Sequence, residues 1–157
     1  MKITTFGERI VLSVLNRIIF RHLEHSADDP VFLSHPHDET AIIMWKDGKA
    51  IGFYSVKLKG KLINLFLSDT WQMNVLDTIF VRKRYRHQGL ACRMLEHFLD
   101  LYPKQDVGLS YPVEESMLSI CKKVLSQRPA DKLRMWECRE PGYPYQRRSI
   151  WLLLNKN

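Results

Sequence analysis

The apolar positions near the N-terminus have the spacing of an amphipathic helix. Between residues 8 and 25 they recur three and four positions apart, which places them on one face. We expect this face to pack on a core. A membrane-surface helix is the alternative interpretation, but the polar face lacks the marked lysine content typical of such helices. The apolar positions are Val11, Leu12, Leu15, Ile18, Ile19 and Leu23.

The next pattern predicts a β-hairpin. Residues 39–60 contain two runs rich in β-branched and aromatic residues, which flank Asp47-Gly48. The glycine of this pair supplies the positive φ of a tight turn. A further strand is predicted over residues 75–81 and a helix over residues 91–101, with one side formed by Met94, Leu95, Phe98 and Leu99.

The second half of the chain alternates between strand and helix patterns. Residues 106–113 predict a short buried strand, and residues 114–128 a helix with acids in its first turn and bases in its last, as the helix dipole favours. Closing strands are predicted over residues 133–138 and 149–154. The whole pattern predicts an α/β protein, a mixed sheet with helices on its faces, built as one domain over residues 1–157.

Composition excludes disorder and favours anionic partners. The 157 residues are 45% hydrophobic with a net charge of +7 and a pI of about 9.4. The apolar run of residues 10–20 is too short to cross a bilayer and is interrupted by polar residues, so we expect a soluble protein. Three cysteines without CxxC spacing, Cys92, Cys121 and Cys138, are typical of a reduced intracellular protein, nuclear or cytoplasmic.

Several chemical constellations are disfavoured by their spacing. The histidine-rich stretch 34–40 and the pair His22 and His25 lack a metal-site pattern such as HExxH, so we expect no metal. Ser110 lacks the second glycine of the GxSxG hydrolase turn. The nucleotide-binding patterns GxxxxGK[ST] and GxGxxG are absent from the sequence.

The stretch TIFVRKRYRHQGLA, residues 78–91, runs from an apolar strand into a basic loop and then a helix. Such a junction presents backbone amides and the positive end of a helix dipole to an anion. Gly89 allows close approach, and Lys83, Arg84 and Arg86 add positive charge. A solvated charge run, a nuclear-import patch and a nucleic-acid contact are alternatives. The glycine at the junction favours the phosphates of a cofactor.

This stretch carries a family resemblance. Val81, Arg86, Gly89 and Ala91 fill the pattern V-x-x-x-x-R-x-x-G-x-A, which resembles the pyrophosphate-binding motif of the GNAT superfamily of N-acetyltransferases. The order of elements over residues 40–155 is similar too. The resemblance implies a GNAT-like fold that binds acetyl-coenzyme A. The backbone of the loop would hold the pyrophosphate, and the end of the preceding strand would pair with the pantetheine. The implied cofactor-binding residues are Ile79, Phe80, Val81, Arg86, His87, Gln88, Gly89, Leu90 and Ala91.

The resemblance also implies acetyl transfer to an amine by direct attack. Asp77 is the candidate base because a strand places it on the same face as Ile79 and Val81; a strand-edge residue bonded to solvent is the alternative. Many members carry a tyrosine acid in the helix after the fifth strand. Here that place holds Cys121, which we expect to be buried. The candidate substitutes for the tyrosine are Tyr111, Tyr143 and Tyr145.

Two further observations concern the family. GNAT proteins usually begin with a strand, for which residues 2–6 or 31–35 are the candidates. Residues 77–98 resemble the soluble lamin-associated protein family, whose N-terminal region is GNAT-like, and this resemblance implies a nuclear setting and a protein partner.

The predicted function is therefore acetyl-CoA binding with transfer to an amine of a protein or a small molecule. Because the tyrosine is missing, a catalytically degenerate CoA-binding protein is one alternative. The other alternative is a basic module that binds a nuclear protein or nucleic acid. The glycine at the strand-to-helix junction makes nucleic acid the less favoured of these two partners.

Overall fold

The computed structural model describes residues 5–15, 40–64 and 66–156. Helix α1 spans Phe6–Ser13, and the Thr5 side chain caps it by accepting a hydrogen bond from the Glu8 amide at 3.2 Å. The rest of the predicted first helix, beyond residue 15, lies outside the described residues.

The other N-terminal predictions are covered only in part. The candidate first strand over residues 31–35 lies outside the described residues, as do His22, His25 and the histidine-rich stretch up to residue 39. The other candidate, residues 2–6, ends at the cap and first residue of α1. Its described part is therefore the start of a helix rather than a strand.

The remaining elements follow in chain order. The strands are β1 (Thr40–Lys46), β2 (Lys49–Lys57), β3 (Leu62–Asn64), β4 (Leu67–Thr70), β5 (Asn74–Val81), β6 (Val107–Ser110), β7 (Met135–Cys138) and β8 (Arg147–Ser149). The helices are α2 (Leu90–Leu101), α3 (Glu115–Gln127) and α4 (Ile150–Leu154). Six strands form one sheet in the order β1-β2-β5-β6-β7-β8, and β3 pairs with β4 separately.

The hairpin of β1 and β2 is confirmed at its predicted turn. Asp47 and Gly48 have φ values of 50° and 74°, the left-handed conformation that a two-residue hairpin turn requires. The strands pair antiparallel from Thr40 opposite Val56 to Lys46 opposite Lys49.

The centre of the sheet is mixed, as predicted. Strand β5 pairs antiparallel with β2 along most of its length, but its parallel pairing with β6 covers only Asn74 to Leu76. Strand β5 continues to Val81, whereas β6 ends at Ser110, so the second half of β5 has no described partner on this side. This half, unpaired on the β6 side, leaves the sheet open at its centre.

Helices cover both faces of the sheet. The main core packs Tyr54 and Leu76 of the sheet against Phe98 of α2 and Leu125 of α3, all of them buried. Each such side chain contributes about 1.5–3 kcal/mol to stability. Residues Ile43, Phe53 and Phe80 point to the opposite face and pack against Leu15, with Val11 and Leu12 of α1 partly buried beside them.

One predicted closing strand is wrong. The strand predicted over residues 149–154 is instead the short β8, which ends at Ser149, followed by the helix α4. Ser149 caps this helix by accepting a hydrogen bond from the Leu152 amide at 3.4 Å. A short unbroken apolar run has no periodicity that separates strand from helix, and the serine cap decides the outcome.

The small sheet of β3 and β4 was not predicted. Its strands have three and four residues, and most of their side chains are exposed, so the run lacks the alternation that marks a half-buried strand. Among the described residues, no helix has the length and apolar content needed to span a membrane.

Candidate functional site

Asp77 is the extra residue of a β-bulge in β5. Ser55 pairs with Thr78 and the next residue, Val56, pairs with Leu76, so Asp77 has no partner on β2. A bulge re-aims a side chain and increases local twist. The bulge therefore lies one residue beyond Leu76, the last residue of β5 that pairs with β6.

A cavity of about 520 Å³ lies beside the second half of β5, which is unpaired on the β6 side, and the end of β6. Its walls come from the second half of β5, the end of β6, the loop and first turn of α2, and α3. Along β5 from Asp77 to Val81 one edge pairs with β2, and no described strand pairs with the other edge. Backbone N–H and C=O groups on that edge are available to a ligand.

The loop between β5 and α2 forms the rim of this cavity. A 3-10 turn spans Lys83–Tyr85, and Gly89 caps α2 in the left-handed conformation, with a φ of 77°. An added Cβ at Gly89 would meet no atom within 4 Å, so the space outside this turn is open.

The first turn of α2 offers unpaired amides at this rim. No described group accepts a hydrogen bond from the amides of Leu90, Ala91 or Cys92, as is usual at a helix start without a capping side chain. These donors and the positive end of the helix dipole favour an anion. The Arg86 amide is already bonded to the Lys83 carbonyl at 3.2 Å, so the free amides begin later than predicted.

Arg86 fastens the loop to the end of β5. Its Nε donates a hydrogen bond to the Val81 carbonyl at 2.7 Å, and its guanidinium lies 5.7 Å from the centroid of the Phe80 ring. The side chain lines the cavity. Its interactions with β5 hold the rim in place.

The structure brings most of the predicted cofactor residues together. Eight of them line the cavity: Ile79, Phe80, Val81, Arg86, His87, Gly89, Leu90 and Ala91. Gln88 is exposed and does not line it. Lys83 and Arg84, which the sequence suggested as surrounding charges, are exposed outside the lining.

Of the four candidate catalytic residues, Asp77 and the three tyrosines, only Asp77 lines the cavity. Its Oδ1 accepts a hydrogen bond from the Ser110 hydroxyl at 2.7 Å. This bond links β5 to β6 one residue beyond the last paired residues, Leu76 and Leu109. Asp77 is therefore held at the inner end of the cavity by a neutral donor.

Tyr111 and Tyr143 lie outside the cavity lining. The Tyr111 ring packs under the Arg139 guanidinium, 3.9 Å from the ring centroid. The Tyr143 hydroxyl donates to Asp69, and this hydrogen bond raises the pKa of Tyr143. Its ring stacks on Tyr145, which is also outside the lining. None of these three tyrosines therefore borders the space in which a ligand of the cavity would lie.

The cysteines are placed as packing residues or at the rim. Cys121 is fully buried, as predicted, and desolvation raises its pKa to about 12. A thiol with so high a pKa is a poor nucleophile at neutral pH. Cys92 lies in the first turn of α2 and lines the cavity.

Sequence reasoning missed three contributors to the site. Ser110 holds Asp77 by a hydrogen bond. Glu114 and Lys123 line the cavity from the start and the third turn of α3. None of the three belongs to a recognisable motif. A fourth residue, Glu137, does not line the cavity but supports its wall. The buried carboxylate of Glu137 accepts a hydrogen bond from the Val113 amide at 3.0 Å and fixes the wall before α3.

Comparison with known proteins places this fold and loop in a family. The sequence profile of the acetyltransferase (GNAT) family matches residues 12–114. The chain belongs to the acetyltransferase (GNAT) family. The match contains the hairpin, β5, the loop at Gly89 and α2, so the GNAT resemblance is confirmed.

Two relatives of this GNAT chain are similar over much of its length. Mouse Protein FAM169B is 44% identical over 156 residues, which cover 97% of this chain and 46% of the relative. Human Protein FAM169BP is 40% identical over 120 residues, covering 74% of this chain and 62% of the relative. The chain thus spans about half the length of the mouse protein. Neither name mentions lamin, and that finer resemblance stays a prediction.

The GNAT family generally binds acetyl-CoA or CoA, and the residues present fit such a ligand. The open turn at Gly89 and the free amides of α2 suit a diphosphate, and the unpaired edge of β5 suits the amide groups of pantetheine. No group of three or more His, Cys, Asp or Glu side chains that could hold a metal is found within the described part of the chain.

Proposed function

We propose that this GNAT chain binds acetyl-CoA in the β5–β6 cavity and transfers the acetyl group to an amine. One observation carries the proposal. Unpaired amides at the start of α2 and an unpaired edge of β5 border the same cavity of about 520 Å³. The first suits a diphosphate and the second an extended amide chain, and CoA carries both in this order.

The residues divide the ligand between them. The amides of Leu90, Ala91 and Cys92 would hold the diphosphate, with Gly89 leaving the approach open. The edge of β5 at Ile79 and Val81 would hold the pantetheine. This division leaves the inner end of the cavity, near Asp77, for the acyl group.

Asp77 would act as the base. Acetyl-CoA, when bound, supplies an acetyl group activated as a thioester. Asp77 would accept the proton that the acceptor amine loses, directly or through one water. Ser110 would keep the carboxylate oriented by its hydrogen bond to Oδ1. Because the cavity thiol Cys92 lies beside the phosphate cradle and Cys121 is buried, transfer would proceed without an acyl-enzyme.

A second candidate is a CoA-binding protein without catalysis. Among the described residues, Tyr85 is the only tyrosine that lines the cavity, and it belongs to the phosphate loop rather than to α3. No tyrosine is therefore placed to protonate a thiolate at the inner end. This observation supports a CoA-binding protein that lacks catalytic activity. A measurement of acetyl transfer therefore distinguishes the two candidate functions.

The acceptor, compartment and partner belong to the same proposal. An amine of a protein or of a small molecule is the acceptor class, and a nuclear protein partner would follow from the lamin-associated resemblance. Nucleic acid is disfavoured as partner because the unpaired amides beside Gly89 border a cavity of about 520 Å³, which suits a cofactor rather than a duplex.

Thermal melting with and without CoA tests the binding. At a ligand concentration of ~100 times the dissociation constant, CoA should stabilise the chain by about 2.7 kcal/mol. Gly89→Glu should abolish this stabilisation because it places bulk and negative charge in the open turn.

Gly48→Glu is the matched control for this variant. Gly48 has a similar φ of 74° and no atom within 4 Å of an added Cβ, but it lies in the hairpin turn. It should lose intrinsic stability like Gly89→Glu and keep the full CoA effect. A stabilisation by CoA that survives Gly89→Glu would remove the loop from the proposal.

Activity separates the two candidates. Acetyl-CoA is incubated with the chain and a panel of lysine peptides, N-terminal peptides and polyamines, and the released thiol is measured. Release that depends on an amine supports transfer. Binding of CoA without any release supports the inactive candidate.

A further inference from the structure

A lysine from a helix far along the chain lines the same cavity as the cradle. The basic run of residues 82–86 led us to expect the phosphate charges to be met from the loop. In the structure Lys83 and Arg84 point outside the cavity lining, and Arg86 is engaged with Val81 and Phe80. The loop therefore supplies amides and one guanidinium to the cavity, that of Arg86, whose Nε is already engaged with Val81.

Lys123 of α3 lies on the opposite wall. It lines the cavity together with Gly89, Leu90, Ala91 and Cys92. With Cys92 it also lines a second, shallower cavity between α2 and α3, so the lysine lies beside the first turn of α2. The Ser126 hydroxyl donates a hydrogen bond to the Lys123 backbone carbonyl at 2.6 Å, but within the described residues the Lys123 ammonium has no ion pair or hydrogen bond. Its ammonium is available to a ligand.

We propose that Lys123 closes over the diphosphate of CoA from α3, opposite the amides of α2. A diphosphate carries two negative charges, which the partial positive charge of one helix end does not neutralise. The long lysine stem can lie along the cavity wall while its ammonium reaches the phosphates. This inference rests on the proposed function and adds one ligand contact to it.

Lys122 provides a matched control. It is the neighbouring residue of α3, exposed like Lys123, but it lines neither cavity. Lys122→Glu and Lys123→Glu change the net charge equally, so long-range electrostatic effects on CoA binding should be alike in the two variants. Only a local contact separates them.

Calorimetric titration with CoA, dephospho-CoA and pantetheine tests the contact. Lys123→Glu should weaken CoA binding about tenfold or more, which corresponds to about 1.4 kcal/mol. Lys122→Glu should weaken it less than about threefold at ~0.15 M salt because that exposed charge is screened. Lys123→Arg should retain most of the affinity.

The truncated ligands locate the contact. Dephospho-CoA keeps the diphosphate and lacks the 3′-phosphate, so the Lys123→Glu penalty should persist with it. A penalty confined to full CoA would assign the lysine to the 3′-phosphate and overturn the inference. Pantetheine, which has no phosphate, should show no penalty; an equal penalty there would reveal general damage and would also overturn it.

Failure of the inference differs from failure of the proposed function. If both lysine variants bind CoA alike, Lys123 is excluded and the cavity still holds CoA. If the unmodified chain binds none of the three ligands, the proposed function itself fails.

Discussion

At the scale of single residues, Asp77 is placed where a base would be useful. The bulge removes it from the β2 ladder and lets its carboxylate line the cavity, and the Ser110 hydroxyl restrains it at 2.7 Å. The flanking residues Leu76 and Thr78 pair with β2 and keep β5 in position. Replacement of the carboxylate should therefore alter chemistry with little effect on the ligand cradle at Gly89.

Asp77→Asn should slow acetyl transfer by about 10²–10⁴-fold because the amide cannot accept the proton. CoA affinity should change less than about threefold, since this carboxylate carries no proposed contact with the phosphates, which the α2 amides would hold. Steady-state kinetics and calorimetric titration measure the two quantities. Asp47→Asn, in the exposed hairpin turn, is the control. Equal losses in rate and affinity would eliminate Asp77 as the base.

Sequence reasoning finds some of these residues and misses others for a physical reason. Asp77 follows from strand alternation and Gly89 from a local motif, and both depend only on nearby residues. Lys123 and Ser110 reach the cavity through the packing of α3 and β6 against β5, which no local pattern encodes. Contacts between distant segments are the part that the sequence alone does not provide.

At the scale of elements, a charged cluster ties α2, α3 and β7 together. The Asp131 carboxylate accepts hydrogen bonds at 2.6 Å from Arg128 and from Arg134. Arg134 in turn donates to the Leu99 and Tyr102 carbonyls at the end of α2. These bonds satisfy carbonyls that a helix end leaves without partners. Asp131 thus orients an arginine that caps a helix of the main core.

Asp131→Asn should reduce the free energy of unfolding at pH 7 by about 1.5–3 kcal/mol, the usual value of hydrogen bonds to a charged group. Burial alone would raise the pKa of Asp131, but the bonds from Arg128 and Arg134 outweigh it and lower the pKa below its usual range. Because the pKa is lowered on folding, the stabilisation is fully present when the pH is above the unfolded-state pKa of about 3.9. It is lost as the pH falls through the lower pKa of the folded state.

Urea unfolding at pH 7 and at several values below about pH 4 measures this difference. The gap between the original chain and Asp131→Asn should narrow as the pH falls. Asp100→Asn is the control, because Asp100 also pairs with Arg128 but its side chain is 66% exposed. Its cost should stay below about 1 kcal/mol. A gap for Asp131→Asn that is constant with pH would contradict the assigned ion pairs.

The element scale also shows where pattern reasoning succeeds. Strand β5 and helices α2 and α3 have long, clear periodicity and lie within one or two residues of their predicted ends. The error at residues 149–154 involves five apolar residues in a row, which carry no period, and the Ser149 cap makes them a helix. The strands β3 and β4 depend on pairing with each other, so neither is visible alone.

At the scale of the whole molecule, the order of elements was enough to predict the fold. A hairpin, a strand leading into a glycine loop and helix, and a second strand and helix place the loop at the centre of a mixed sheet. The cavity could not be predicted, because it arises from the short pairing of β5 with β6 and from the bulge. The proposal of a single domain over residues 1–157 stays a prediction.

The net charge of +7 raises the question of whether an acidic polymer, rather than CoA, is the natural ligand. At least four of the 24 lysines and arginines, Arg128, Arg134, Arg147 and Arg148, form ion pairs with acidic side chains. Among the described residues, the lysine and arginine that line the cavity are Lys123 and Arg86. A duplex would need a row of free cations instead.

Salt dependence distinguishes these ligands. A protein that contacts six or more phosphates of a duplex loses roughly 10³-fold in affinity between about 50 and 200 mM salt. CoA binding should fall less than about tenfold over that range, because amides and an ammonium directly contacting the diphosphate are screened less than separated surface charges. Fluorescence titration with labelled duplex DNA and competition by CoA at both concentrations provide the comparison. Tight DNA binding that CoA does not displace, together with steep salt dependence and no effect of Gly89→Glu, would favour the basic interaction module over the acetyl-CoA site.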